Sequence, residues 1–285
     1  LETPVGAVGV TVVGAARPGR PAIVTFPDVG LSPHQCFSAL FAHPEMQEVT
    51  QSFQLLHLDP PGMGEGAAPY PSGYQYPSLD QLAETLPGIL QQLQIRSIIG
   101  IGVGAGAFIL AKFALQHPEA VEGLVLINLD HQAKGWVDWA AHKLSGLTMS
   151  IAEQVLAHLF TQEELAAATP PVQEAREKLE KAPNVGLLWA MFNSRGDLGL
   201  ERSGNSSFRC PVLLVVGDGS RHEDAAVECN ACLDPTQSSF LKMADGGGQP
   251  QINQPEKLTE AFKYFVQGLG YLSAAAMTRL SRSRS

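Results

Sequence analysis

A chain of 285 residues, 45% hydrophobic and 16% charged, is long enough to bury a full core and too apolar for intrinsic disorder. Its formal net charge of −9 argues against a nucleic-acid surface, which needs clustered Lys and Arg to replace counterions. The longest apolar run, Ile98 to Ala111, is shorter than the roughly 20 residues of a spanning helix and is broken by glycine, so no integral membrane segment is expected.

In chain order, Val8, Val10 and Val12 alternate with smaller residues, and 21–27 is a second β-rich run after a turn, so two early strands are expected. Short helical pieces follow at 37–41 and 46–53, then a strand at 54–59. Ser78 and Gln81 form a capping box that opens a helix with the apolar face Leu79, Leu82, Leu86, Leu90 and Leu93, kinked at Pro87. A buried strand through Ile98, Ile99 and Ile101 runs into Gly102-Val103-Gly104-Ala105-Gly106 and a helix, and 121–130 is another buried strand. From 131 to about 208 only helical patterns occur: 136–144, 151–160, 162–168, 172–181 and 185–192. Strands return at 210–218 and 238–243, with helices at 223–233 and 255–267 and Gly268 as the expected C-terminal cap. Strand and helix in alternation predict a mostly parallel sheet covered by helices on both faces. The predicted organisation is a discontinuous core of 1–130 and 208–270, a helical cap at 131–207, and a basic Ser/Arg tail at 271–285.

Strand, glycine-rich turn and helix at 97–112 have the frame of a nucleophile elbow, G-x-S-x-G, with Gly104 where the nucleophile belongs. The flanking glycines let strand and helix pass closely, and the central turn is expected to be strained or crowded. An α/β-hydrolase also needs an acid after the late strand and a histidine before the last helix. Those positions hold Ser220 and Gly248, with Asn253 where a glutamate is usual. The three triad positions Gly104, Ser220 and Gly248 are degenerate, so no catalytic residue is assigned and no ester hydrolysis is expected.

Several runs carry a family resemblance: Asp28-Val-Gly-Leu31, Met46-Gln-Glu-Val-Thr-Gln51, Tyr74-Gln-Tyr-Pro-Ser78, 97–106, 121–128 and Phe262-Lys-Tyr-Phe265. Nearly end to end the chain resembles the N-myc downstream-regulated (NDRG) family, and 133–143 and 243–251 most resemble its second vertebrate branch. Phe26-Pro27-Asp28 departs from it, since a histidine usually precedes the aspartate there. The resemblance implies an α/β-hydrolase fold without hydrolase activity, to which the 131–207 stretch adds an inserted helical cap; no cofactor or metal is expected. It also implies a cytoplasmic place, extending to the nucleus or the membrane periphery. Roles in growth suppression, differentiation, stress response and Wnt signalling, exerted through protein partners, are implied with it.

Two other readings stay open at this point. An active hydrolase with a displaced triad would use Ser220, His222 and Asp218, whereas His57 at a strand end reads as a satisfied histidine. A dinucleotide-binding enzyme would use the G-x-G-x-x-A at Gly102, Gly104 and Ala107, with Asp130 on the ribose. Four scattered cysteines favour a reducing compartment, and Cys229 and Cys232, although a C-x-x-C, read as two small apolar residues on one helix face. No N-terminal signal pattern is visible. For interactions, Leu156 and Phe160 on the amphipathic 151–160 segment are the candidate interface, whereas Trp136 and Trp139 read as packing residues. Ser281 and Ser285, among Arg279, Arg282 and Arg284, are candidate substrates of a basophilic protein kinase.

Overall fold

The computed structural model describes residues 1–135, 140–141, 143–144 and 147–272. Most of the helix expected at 136–144, both of its tryptophans, and Ser281 and Ser285 lie outside those residues.

Nine strands are present among the described residues. A hairpin of β1 (Glu2–Thr3) and β2 (Gly6–Ala7) precedes β3 (Gly9–Val13), β4 (Ala22–Phe26), β5 (Leu55–Asp59), β6 (Ile98–Val103), β7 (Val121–Ile127), β8 (Val212–Gly217) and β9 (Ser238–Met243). The last seven form one sheet in the order β3-β5-β4-β6-β7-β8-β9. Every pairing is parallel except that of β3 with β5. The early valines therefore form an antiparallel edge strand, with Val12 and Val13 exposed. The central strands β4, β6 and β8 are buried along their whole length, as near-continuous runs of Ile, Val and Leu require when helices cover a sheet on both faces.

Before β7 the helices are α1 (Pro33–Ala42), α2 (Pro44–Thr50), α3 (Leu79–Glu84), α4 (Leu86–Gln92) and α5 (Ala105–Gln116). Between β7 and β8 lie α6 (Ile151–Leu159), α7 (Gln162–Ala167), α8 (Pro170–Leu179) and α9 (Val185–Asn193), and after β8 come α10 (Glu223–Ala231), α11 (Pro250–Asn253) and α12 (Pro255–Gly268). Helices α3 and α5 pack together over β6, whereas α1, α2, α11 and α12 pack as another group and α10 covers β8 and β9. The starts are written locally. Ser32 with Gln35, Ser78 with Gln81, Ser150 with Glu153 and Thr161 with Glu164 all form complete capping boxes.

Two local expectations are corrected. The helix through Pro87 is divided at Thr85 rather than kinked, because Pro87 has no N–H to give the carbonyl one turn back and its ring crowds that carbonyl. The last helix runs through Gly268 and is capped by Leu269, after which Gly270 takes φ +90°. Gly270 N–H donates to Gln267 O and Tyr271 N–H to Val266 O, so the left-handed position belongs to Gly270. The 250–253 helix was not foreseen, since four residues carry no period.

This assignment separates two glycines. Gly268→Ala, in a helical position with open space around it, should stabilise the protein by roughly 0.5–1 kcal/mol. Gly270→Ala should destabilise it by roughly 1–2 kcal/mol, since a Cβ is strained at positive φ. Urea midpoints of the two variants moving in the same direction would contradict the assignment.

Candidate functional site

The site is built where β6 stops and α5 starts. Gly104 has φ +55° and ψ −115°, a combination closed to ordinary L residues without strain. Its N–H donates to Ile127 O of β7, and its carbonyl accepts from Phe108 N–H, so the turn is pinned on both sides. The neighbouring glycines are there for contact: a Cβ at Gly102 would lie 2.6 Å from Ala107 Cα, and one at Gly106 2.1 Å from Phe26 O. The expected tight crossing of strand and helix is thus observed, and the elbow is structurally intact.

What occupies the nucleophile's space is the side chain of Asp28, from the loop after β4. A Cβ built on Gly104 would lie 2.0 Å from Asp28 Oδ2. Asp28 Oδ1 accepts from the Val29 amide at 2.7 Å and the Ala105 amide at 3.0 Å. The amide after the nucleophile and an amide from an earlier strand-end loop are the two donors of an α/β-hydrolase oxyanion hole. Here they hold the protein's own carboxylate. Asp28 Oδ2 faces Nε2 of His158 on α6 at 2.8 Å, with the aspartate side chain fully buried. Burial opposes the charge, but the field and hydrogen bond of His158, together with the Ala105 amide, outweigh it and hold the Asp28 carboxyl below its usual value. With the carboxylate ionised, the shared proton sits on His158 Nε2, which donates.

His158 is enclosed by rings: Trp189 at 5.3 Å and Phe192 at 5.0 Å between centroids, and His222 edge-on at 5.1 Å. His222 Nε2–H donates to the His158 carbonyl at 2.8 Å. Burial first, and then His158 alongside, lower His222 to about 3. A cleft of about 810 Å³ borders this group, between the ends of the strands and the inserted helices, with Asn128, Trp189 and Arg195 in its wall.

The other two triad positions are closed. A Cβ on Gly248 would lie 2.3 Å from Leu159 O and 2.8 Å from Phe160 Cα, so a histidine side chain has no room while α6 is seated. The Gly248 amide donates to Glu164 Oε1, its carbonyl accepts from Asn128 Nδ2, and Gln249 Nε2 donates to Leu159 O. Asn253 is tied to Glu164 Oε2 and Gly246 O. At the acid position, Ser220 is a buried hydroxyl that accepts from the His222 amide at 3.3 Å.

Three expectations from sequence are overturned by this geometry. The displaced triad does not assemble: the His222 ring bonds a carbonyl of α6 and not Ser220, while Asp218 lies on the surface near Lys242. The dinucleotide reading fails because the α5 amide that would receive a pyrophosphate already holds a carboxylate, and Asp130 pairs with Arg195 at 2.9 Å. Leu156 and Phe160 are each only 2% exposed, so they are core residues and not an interface. The apolar face of α6 is spent on the loop below it: Gly30, at φ +86°, would place a Cβ 2.5 Å from Val155.

Cys229 is buried, with its thiol pushed to about 12 by burial, and Cys232 Sγ lies 3.8 Å from His131 Nε2. No group of three or more metal-ligating side chains occurs among the described residues. His57 meets Thr25 Oγ1 at 2.6 Å, and burial lowers it to about 4, in keeping with a satisfied histidine. Asp28, His158 and Gln249 carried no spacing signal of their own, and His222 stood out only as a member of the displaced triad that does not assemble. The one usable pointer was Asp28-Val29-Gly30 directly after a strand, where a hydrolase keeps its oxyanion loop.

A parallel sheet with an intact elbow, an oxyanion hole and helices inserted between late strands defines an α/β-hydrolase fold. Solved structures agree: a hydrolase from Pseudomonas aeruginosa superposes with TM-score 0.70 at 20% identity, covering 91% of this chain and 94% of that one. The enol-lactonase from Burkholderia xenovorans gives TM-score 0.67 at 16% identity, covering 92% and 95%. At such identities the likeness is one of fold. Within that class the chain belongs to the Ndr family, whose sequence profile matches residues 1–273. Protein NDRG2 of Homo sapiens is 60% identical over 288 aligned residues, covering 100% of this chain and 78% of that protein. The Danio rerio protein of that name is 57% identical over the same coverage.

Two predictions follow from the buried groups. Leu156→Ala should cost roughly 2–5 kcal/mol, the range for a core truncation; a loss under about 0.5 kcal/mol in urea denaturation would return Leu156 to the surface. His57 and His222 are neutral in the folded protein and take up a proton on unfolding below the usual value of about 6.5. Their contribution is full above about pH 6.5 and is lost as pH falls towards about 4 for His57 and about 3 for His222. Asp28 acts in the same direction lower down: its contribution is present above about 3.9, the unfolded carboxyl value, and is lost as pH falls through its lowered folded value. Asp59, raised to about 7 by burial, works the other way over that range, so the melting temperature should fall on acidification from about pH 6.5 because two histidines outweigh one carboxylate, and His222→Gln should be nearly level down to about pH 4. A melting temperature that stays level in the wild type down to about pH 4 would contradict this.

Proposed function

We propose that this chain is a catalytically silent α/β-hydrolase-fold protein that works through protein contacts in cytoplasmic signalling. Its family membership supports a place in growth suppression, differentiation, stress responses and the Wnt pathway. In this reading 131–207 is a cap set into a core of 1–130 and 208–270, and the serines at 281 and 285 are kinase sites on a basic tail. A cytoplasmic place, with nuclear or membrane-peripheral pools, accompanies it. Among the described residues no helix is long and apolar enough to cross a membrane.

The observation that supports silence best is the Asp28 carboxylate lying where a nucleophile's side chain and a substrate's carbonyl oxygen would have to be. Nucleophilic catalysis of acyl transfer needs that volume for an attacking atom and those two amides for the developing oxyanion. A carboxylate there supplies neither function and repels the charge that would develop. Restoring serine does not reverse this, because its Cβ collides with Asp28.

The wild type should not be labelled by a serine-directed fluorophosphonate, and Gly104→Ser should be both unlabelled and less stable than the wild type. Labelling of the wild type at one serine, located by peptide mass spectrometry, would overturn the silent reading.

A further inference from the structure

We propose that the turn between β6 and α5 is a carboxylate-binding site which the chain fills with its own Asp28 side chain, and that this bound carboxylate ties α6 to the sheet. Three donors from three separate parts of the chain converge on one group. The amides of Val29 and Ala105 hold Oδ1, and Nε2 of His158 holds Oδ2. Gly104 contributes the space, since any Cβ there would overlap both carboxylate oxygens and Cγ.

The chemistry selects a carboxylate. Two oxygens on one carbon are needed to meet amides on one side and a histidine on the other, and a buried site with three donors favours an anion over a neutral group. Selectivity for size comes from enclosure: Asp28 has no exposed side-chain surface, and Gly30 and Gly248 lie directly under α6. Only a very small carboxylate fits if Asp28 is removed. Formate superposes on the Asp28 carboxyl group, and it requires Asp28 Cβ to be absent too, because that atom is one bond from the site's carbon.

The tie explains how α6 is seated. Its apolar face rests on Gly30, its C-terminal end on Gly248, and between them His158 reaches the carboxylate. Without the carboxylate, a buried imidazole N–H and two amides lose their acceptor, each at an appreciable cost. This proposal rests on the silent reading for the absence of turnover, but formate binding is measured without turnover, so the two fail separately.

The test uses the full chain with Asp28→Gly and Asp28→Asn, followed by melting temperature and by hydrogen exchange of the α6 amides in sodium formate or in sodium chloride at equal ionic strength. Asp28→Gly should melt lower than the wild type and exchange faster in α6. Formate should then raise its melting temperature saturably, by several degrees at about a hundredfold over the dissociation constant, and slow α6 exchange, with chloride ineffective. Asp28→Asn keeps the volume filled, so it should be destabilised and unresponsive to formate, as the wild type is unresponsive. If Asp28→Gly does not fold unaided, its refolding yield becomes the readout, and a yield that rises with formate but not chloride supports the site. A formate response no larger than that to chloride, in melting temperature or in yield, overturns it, as does an equal formate response in the wild type.

Discussion

The buried carboxylate of Asp28 is the constraint on which the rest of this molecule depends. An ionised group inside a protein costs several kcal/mol unless its oxygens are matched by donors, and here two backbone amides and one histidine supply the match. Each donor fixes something larger. The Ala105 amide requires α5 to begin where it does, which requires the positive φ of Gly104. The Val29 amide fixes the loop that leads into α1. His158 requires α6 to lie against the loop after β4, where Val155, Leu156, Leu159 and Phe160 are buried. Glycines at 30, 104 and 248 are the places where a side chain would prevent this closure.

The same arrangement is what the proposed silence of this hydrolase fold rests on. In an enzyme of this class, inserted helices shed water from a reaction centre and leave room for a substrate. Here the C-terminal backbone of α6 lies where a side chain on Gly248 would have to be, and the Asp28 carboxylate lies where one on Gly104 would have to be. In that reading the place of the chemistry is taken by the hydrogen bond between His158 and the Asp28 carboxylate and by side-chain-to-backbone bonds through Asn128, Glu164 and Gln249. The apolar residues of α6 are used internally, so the protein contacts proposed for this chain fall elsewhere on its surface.

Periodicity made the sheet and most helices legible, because strands such as Ile98–Val103 and Val212–Gly217 are buried throughout and read as unbroken apolar runs. The capping box at Ser78 marked a helix start through short-range chemistry. The elbow was readable for the same reason: three glycines between an apolar strand and helix have few other uses. What remained hidden was long-range. Asp28 and His158 are 130 residues apart, and nothing in the local pattern of either says that they meet. The amphipathic 151–160 segment misled in a related way, since an apolar helix face looks alike whether it covers the chain's own loop or awaits a partner. Gly268 and Gly270 differ only in φ, which no composition rule supplies.

The most direct test of the central claim is a double-mutant cycle on the two ends of the tie, Asp28→Asn and His158→Gln, measured by urea denaturation near neutral pH. Groups in direct contact within a buried pair couple by roughly 0.5–3 kcal/mol, whereas independent sites add to within about 0.5 kcal/mol. A coupling energy above about 1 kcal/mol is expected, with the double variant less destabilised than the sum of the singles. Simple additivity of the two substitutions would show that the carboxylate and the α6 histidine do not hold core and inserted helices together.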